Sequence, residues 1–233
     1  MRFKLTFLAW AAMALAAPAF AQASGDFLNC TGPVWQDADE AALVKSFGAE
    51  NVAHEEIDIG EAVTEAASVI FPKDPKRRIE VLWYFEDKRQ KPKWITVREG
   101  TAWKFASKAP RRRPVTVGAT LAEVEAINGR PFLINKLGGI MGGYALDWQG
   151  GALAQADSAC QLQLVFDRPR KATDRAVARA SRGNRFTSSS PEMRALMPIV
   201  ESISLYWRPP SYASITMPER HRDDIARAEF AFP

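Results

Sequence analysis

The spacing of apolar residues changes its period along this chain. Between Thr120 and Asn128 they recur at Leu121, Val124 and Ile127, the spacing of one helical face. Thr120 and Glu123 stand at capping-box separation, and Asn128-Gly129 before Pro131 provides the stop signal. The pattern returns 80 residues earlier, where Asp39 caps a helix carrying Ala41, Val44 and Phe47 and Gly48 terminates it. After each helix the period shortens. Strands are predicted at Val52–Ile59, Ala66–Phe71, Ile79–Phe85 and Trp94–Val97, then at Phe132–Lys136, Tyr144–Trp148, Cys160–Phe166 and Ile203–Trp207. Pro72–Pro75 and Asp87–Pro92 read as polar turns between strands.

One helix followed by consecutive strands, twice over, predicts an α+β protein built as two tandem helix-plus-antiparallel-sheet units. The units span residues 39–106 and 115–207, with SKAPRRRP at 107–114 as a stiff, solvated linker. The strands Ile79–Trp83 and Ile203–Trp207 look alike but lie 124 residues apart, so their offset does not match that of the helices. Residues 167–190 read as a basic insertion into the second unit, and 208–233 as a tail with a candidate helix from Pro218 to Phe230.

The first residues add a location. Arg2 and Lys4, an apolar run from Leu5 to Ala17 and then Ala19-Phe20-Ala21 have the parts of a secretory signal peptide over residues 1–21, with cleavage expected after Ala21. Residues 22–38 then form an extended lead-in, and no cysteine stands at a lipid-attachment position. The apolar run is short for a membrane span, and no later stretch reaches the ~20 residues one needs. The reading is therefore a periplasmic or secreted protein with no transmembrane segment in the mature chain. The formal net charge of +4 falls by two when Arg2 and Lys4 leave, so overall charge selects no partner. In an oxidising compartment the two cysteines, Cys30 and Cys160, are expected to form a disulfide.

Val117-Gly-Ala-Thr-Leu-Ala-Glu-Val124 followed by Gly129-Arg-Pro131 resembles the Gly-x-Thr…Val…Gly-x-Pro helix signature of the SmpA/OmlA outer-membrane-assembly lipoproteins and the β-lactamase-inhibitor-protein-like (BLIP-like) fold they share. The stretch Glu123–Phe132 with the downstream Gly-Gly-Tyr-x-x-x-Trp also looks like a set of uncharacterised secreted bacterial proteins. The first resemblance implies the BLIP-like fold. The absent lipidation cysteine leaves the outer-membrane anchor behind, and the chain shows no identifiable β-lactamase-inhibitory loop.

Candidate chemistry is sparse. His54 and His221 have no partner at metal-ligand spacing, and no Gly-x-Ser-x-Gly elbow occurs. The acidic run around Glu55, Glu56 and Asp58 reads as the polar face of a strand. The glycine-rich stretch Gly138–Gly143 is followed by a strand pattern and not by Lys-Ser/Thr on a helix, which makes it a hairpin or bulge. Gly139, Ile140, Met141, Gly142 and Tyr144 are its candidate partner-binding residues. In the insertion, Lys171, Arg175 and Arg179 share one face of a short helix, and Arg175, Arg179, Arg182 and Arg185 are candidate anion-binding residues on a solvated segment. Strand tryptophans on an open sheet face are a further binding candidate. These features predict a non-enzymatic protein-binding module, an inhibitor or envelope-assembly factor with a protein partner in the cell envelope. No cofactor and no nucleic acid is expected. The alternatives are electrostatic binding of an anionic envelope surface, lipid or polymer, through the arginines, and a small periplasmic hydrolase using unpatterned carboxylates.

Overall fold

The structure, a computed structural model, describes residues 27–30, 32, 34–60, 63–107, 112–138, 142–154 and 159–210. The expected leader with its cleavage site, the start of the lead-in and the C-terminal helix fall outside the described residues.

The first elements are strand β1 (Phe27–Leu28), helix α1 (Glu40–Phe47) and four strands, β2 (Val52–Gly60), β3 (Val63–Ile70), β4 (Ile79–Phe85) and β5 (Gln90–Val97). Short strands β6 (Lys104–Phe105) and β7 (Val115–Thr116) come next, then helix α2 (Leu121–Asn128) and strands β8 (Leu133–Asn135), β9 (Ala145–Asp147) and β10 (Gln161–Asp167). Helix α3 (Asp174–Ala180), strand β11 (Arg185–Thr187), helix α4 (Pro191–Leu196) and strand β12 (Ile199–Tyr206) complete the series. The class is α+β, dominated by antiparallel sheet. Six strands pair in the order β10-β12-β5-β4-β3-β2, and a smaller sheet runs β11-β8-β9. A bridge from Tyr144 to Val165 joins the smaller sheet to β10.

Period-two alternation gives the large sheet two unlike faces. On one, Ile79, Val81 and Trp83 of β4, Ile95 and Val97 of β5 and Ile203 and Leu205 of β12 pack with both longer helices into the main core. Helix α2 forms as its sequence dictates. Thr120 accepts from the Glu123 amide, and the Glu123 carboxylate accepts from the Thr120 amide and hydroxyl, both at 2.8 Å. The backbone donor first, then the hydroxyl, holds that carboxyl below its ordinary value. Leu121, Val124 and Ile127 are buried as expected, and Gly129 closes the helix in the left-handed region at φ 82°.

Helix α1 also starts at the predicted cap, with Asp39 accepting from the Ala42 amide at 2.8 Å. Its buried face differs from the expectation. Leu43 is fully buried and Ala41 is exposed, because Leu43 and Phe47, four residues apart, form the stripe that meets the sheet. Phe47 packs edge-on against Phe71 with ring centroids 5.6 Å apart.

Strand β5 begins at Gln90, inside the segment read as a turn. Pro92 had marked that segment as strand-free, but it lies opposite Trp83 at a bulge, where the ladder tolerates a residue without an N–H. The Pro/Arg stretch runs between β6 and β7, which pair with each other, so its two ends lie side by side. Within it Arg112 donates to the carbonyls of Ala126 and Ile127, placing a cation on the last turn of α2.

The basic insertion is not a free solvated segment. It carries α3 and β11, the latter paired with β8, and α4 follows it directly. Ala180, Met193 and Leu196 are buried in the main core, with Phe186 packed against it. Cys30 and Cys160 form the expected disulfide, tying the lead-in to the start of β10. No helix among the described residues is long and apolar enough to cross a membrane.

Candidate functional site

Among the described residues, the β2–β3 hairpin covers part of the second face of the large sheet. Strand β3 pairs with β4 through Ser68–Ile70 alone, so the rest of the β2–β3 hairpin extends beyond that pairing as an arm. The arm also makes contacts with β5, which is not its neighbour in the sheet. Arg98, just after β5, donates to the Asp58 carbonyl at 3.1 Å, and Lys93 of β5 lies 3.5 Å from the Glu65 carboxylate. Beneath the arm Ile57, Ala67, Val69 and Leu82 form a second apolar cluster, with Ile59 and Trp94 at its rim. Arg78 donates to Glu55 at 2.7 Å and to Glu80 at 3.4 Å, and Arg98 closes on Glu80 at 3.0 Å. The hydrogen bond to Glu55 is the main reason that the Arg78 guanidinium is held above its ordinary value. Glu55 is thereby committed to structure.

Beyond the arm the face is aromatic and polar. The β5–β12 register sets Trp94 opposite Tyr206 and Thr96 opposite Ser204. The Trp94 and Tyr206 rings meet edge-on at 5.5 Å, Lys93 stands 4.5 Å over the Trp94 ring, and the Thr96 and Ser204 hydroxyls are 2.8 Å apart. Tyr84 donates to the Trp207 carbonyl at 2.8 Å. Gln163 on β10 donates to the carbonyls of Ala145 and Leu164, each at 2.9 Å. Tyr84, Trp94, Tyr144, Gln163 and Tyr206 are all half-buried. Burial pushes the Tyr206 phenol up to about 12, with Tyr144 adding to the effect. A shallow pocket of roughly 340 Å³ lies at this end, between Tyr84, Gln161, Gln163, Tyr206 and Arg208. The arrangement offers large rings, held before any partner arrives, ringed by hydrogen-bonding groups, which is the make-up of a protein-binding hot spot.

Of the predicted loop residues, Gly139, Ile140 and Met141 lie outside the described residues. The ends of that loop are fixed. Gly143 donates to the Lys136 carbonyl and accepts from the Phe166 amide, both at 2.8 Å. It has φ 74°, and a Cβ there would run into the carbonyl oxygen of Phe166. A Cβ on Gly142 would stand 2.7 Å from the Gly138 backbone. The glycines thus let two backbones approach closely at the seam between the sheets. The same seam places Tyr144 on the second face, beside the residues of β10. Sequence reasoning missed Tyr84, Gln163 and Tyr206. The one signal was the polar alternation of Ser202, Ser204 and Tyr206 against apolar Ile203 and Leu205.

The arginines are divided. Arg179 and Arg182 line one crevice, whereas Arg175 and Arg185 are exposed outside it. His54 approaches Glu40 at 2.7 Å, and the same Glu40 oxygen accepts from Ser68 at 2.6 Å. Here the carboxylate separates serine from histidine, where nucleophilic catalysis requires the base to touch the hydroxyl. Ser68 is buried and accepts from the Trp83 indole at 2.9 Å, so this chain of contacts fastens α1 to the sheet. Comparison of the chain with protein-family models, with curated proteins and with solved structures finds no match in any of the three.

Proposed function

We propose that this chain is a secreted or periplasmic, non-enzymatic binding module that engages a protein partner of the cell envelope through the part of its second sheet face that carries Trp94 and Tyr206. The observation that carries this reading is the edge-packed pair Trp94 and Tyr206, half-buried on a strand surface with Tyr84 and Tyr144 beside it. Such rings contribute large contact area at little cost in conformational entropy. The disulfide fits an oxidising compartment. The sequence resemblance to BLIP-like and SmpA/OmlA domains points the same way, toward an inhibitor or an envelope-assembly factor.

The tandem reading belongs with this proposal. Helix α1 precedes four strands in antiparallel succession, β2 to β5, and α2 precedes β8, β9, β10 and β12, successive members of which also meet antiparallel. The fourth strands of the two series pair with each other. In this alignment β12 corresponds to β5 and not to β4, which accounts for the mismatched offset of the look-alike strands. The α3–β11–α4 segment is then an addition to the second unit.

Site-directed photocrosslinking tests the function. A photoreactive side chain at position 206 is predicted to trap a discrete envelope protein, while one at the exposed Lys45 of α1 traps none. Equal adducts from both positions, or none from 206, would contradict the proposal.

A further inference from the structure

The second inference concerns a different surface and does not depend on the sheet-face proposal. Helix α3, strand β11 and helix α4 enclose a crevice of roughly 430 Å³ lined by Arg179, Arg182, Gly183, Phe186, Pro191 and Glu192. Some arginines of the fold have acidic partners: Arg78 with Glu55, Arg98 with Glu80, Arg170 with Glu99, Arg194 with Glu125. Among the described residues no carboxylate lies within 4.0 Å of the side-chain nitrogens of Arg179 or Arg182. A Cβ on Gly183 would stand 2.8 Å from the tip of the Phe186 ring, so glycine lets the half-buried ring lie against the backbone. Ala180, one residue after Arg179, is fully buried and fixes the helix that presents it.

We infer that this crevice binds the phosphate group of an organic phosphate ester. One guanidinium satisfies one carboxylate, whereas a phosphate offers enough terminal oxygens to bridge two guanidinium forks. Phe186 supplies an apolar surface for the carbon skeleton of the ester. Glu192 on the lip accepts from a hydroxyl or ammonium of the same ligand and disfavours a featureless polyanion. The phosphate can be that of a soluble ester or of a phospholipid headgroup, and the two sources separate experimentally.

The experiment pairs a nuclear magnetic resonance titration of the protein with inorganic phosphate and cosedimentation with vesicles of phosphatidylcholine, with and without phosphatidic acid. Shifts confined to the amides of residues 179–186 are expected, and the R179A/R182A variant loses about tenfold in affinity. The R179K/R182K variant keeps the charge but not the fork, and it too is expected to lose most of the binding. The R175A/R185A variant removes equal charge outside the crevice and leaves binding within about twofold of the starting protein. Shifts with inorganic phosphate but no sedimentation identify a soluble ester. Sedimentation that depends on phosphatidic acid and on Arg179 and Arg182 identifies the headgroup. Loss of binding in R175A/R185A equal to that in R179A/R182A, or no binding in either arm, would overturn the inference.

Discussion

Tyr206 and Gly143 show how much a single side chain, or its absence, decides here. Tyr206 has its phenol pushed from the ordinary value of 10.0 to about 12, chiefly by burial. The folded chain therefore holds this proton more tightly than the unfolded chain does. Stability is fully present below pH 10 and is lost as pH rises from 10 towards 12. Burial also raises the Tyr84 phenol, so a spectrophotometric titration at an ultraviolet wavelength that reports tyrosinate should show Tyr206 as the latest of the raised phenols, and Tyr206→Phe should abolish that last step. Gly143 makes a different demand, since its φ is positive and a Cβ would strike the Phe166 backbone. Gly143→Ala should cost more than about 2 kcal/mol in urea denaturation, with a backbone shift at the sheet seam. Gly118 also has positive φ but nothing within 4 Å of a Cβ, so Gly118→Ala should cost only about 1 kcal/mol. Equal costs at the two positions would remove the close-approach argument. The sequence marked Gly138–Gly143 as a glycine-rich loop, but which glycine is indispensable depends on where β10 crosses it, and nothing local encodes that crossing.

The elements divide by how local their signals are. Helix α2 was legible because its cap, its apolar triplet and its glycine stop all lie within ten residues and agree with one another. Strand β4 was legible to its ends, since Ile79–Phe85 is apolar and aromatic apart from Glu80 and lies between turn signals. Helix α1 was found, but with the wrong face. Two turns with Ala41, Leu43, Val44 and Phe47 admit two stripes, and only the sheet chooses between them. Leu43→Ala should destabilise by about 2–4 kcal/mol, while Ala41→Ser stays within about 0.5 kcal/mol, as read by thermal or urea unfolding. The segment 167–190, which carries α3 and β11 and leads into α4, was read as a solvated insertion because its charge dominates. What folds it is the burial of Ala180, Met193 and Leu196 against distant strands. The β2–β3 arm was beyond sequence reasoning for the same reason. It is held by Lys93 of β5 and by Arg98 just beyond that strand.

At the scale of the molecule, the α+β class and the Cys30–Cys160 bridge followed from the sequence, while the joining of all six long strands into one sheet did not. That joining depends on β5 meeting β12 across more than 100 positions of chain, 112 at Trp94 with Tyr206 and 106 at Val97 with Ile203, a register fixed by matching apolar faces. The bridge spans 130 residues, and in the chain-entropy view its reduction should cost about 4–5 kcal/mol. Denaturant curves with and without reductant measure this, and coincident curves would show that the bridge contributes nothing to stability. The same β5–β12 pairing creates the aromatic face on which the proposed function rests. The decisive measurement is the affinity of the envelope protein trapped at position 206 for the starting protein and for the Trp94→Ala and Tyr206→Ala variants, each at low and at moderate salt. An aromatic interface predicts a loss of tenfold or more, about 1.4 kcal/mol or above, in each variant, with little change between the two salt concentrations. Unchanged affinity in both variants, or binding that collapses with salt in the starting protein, would contradict the assignment of this face.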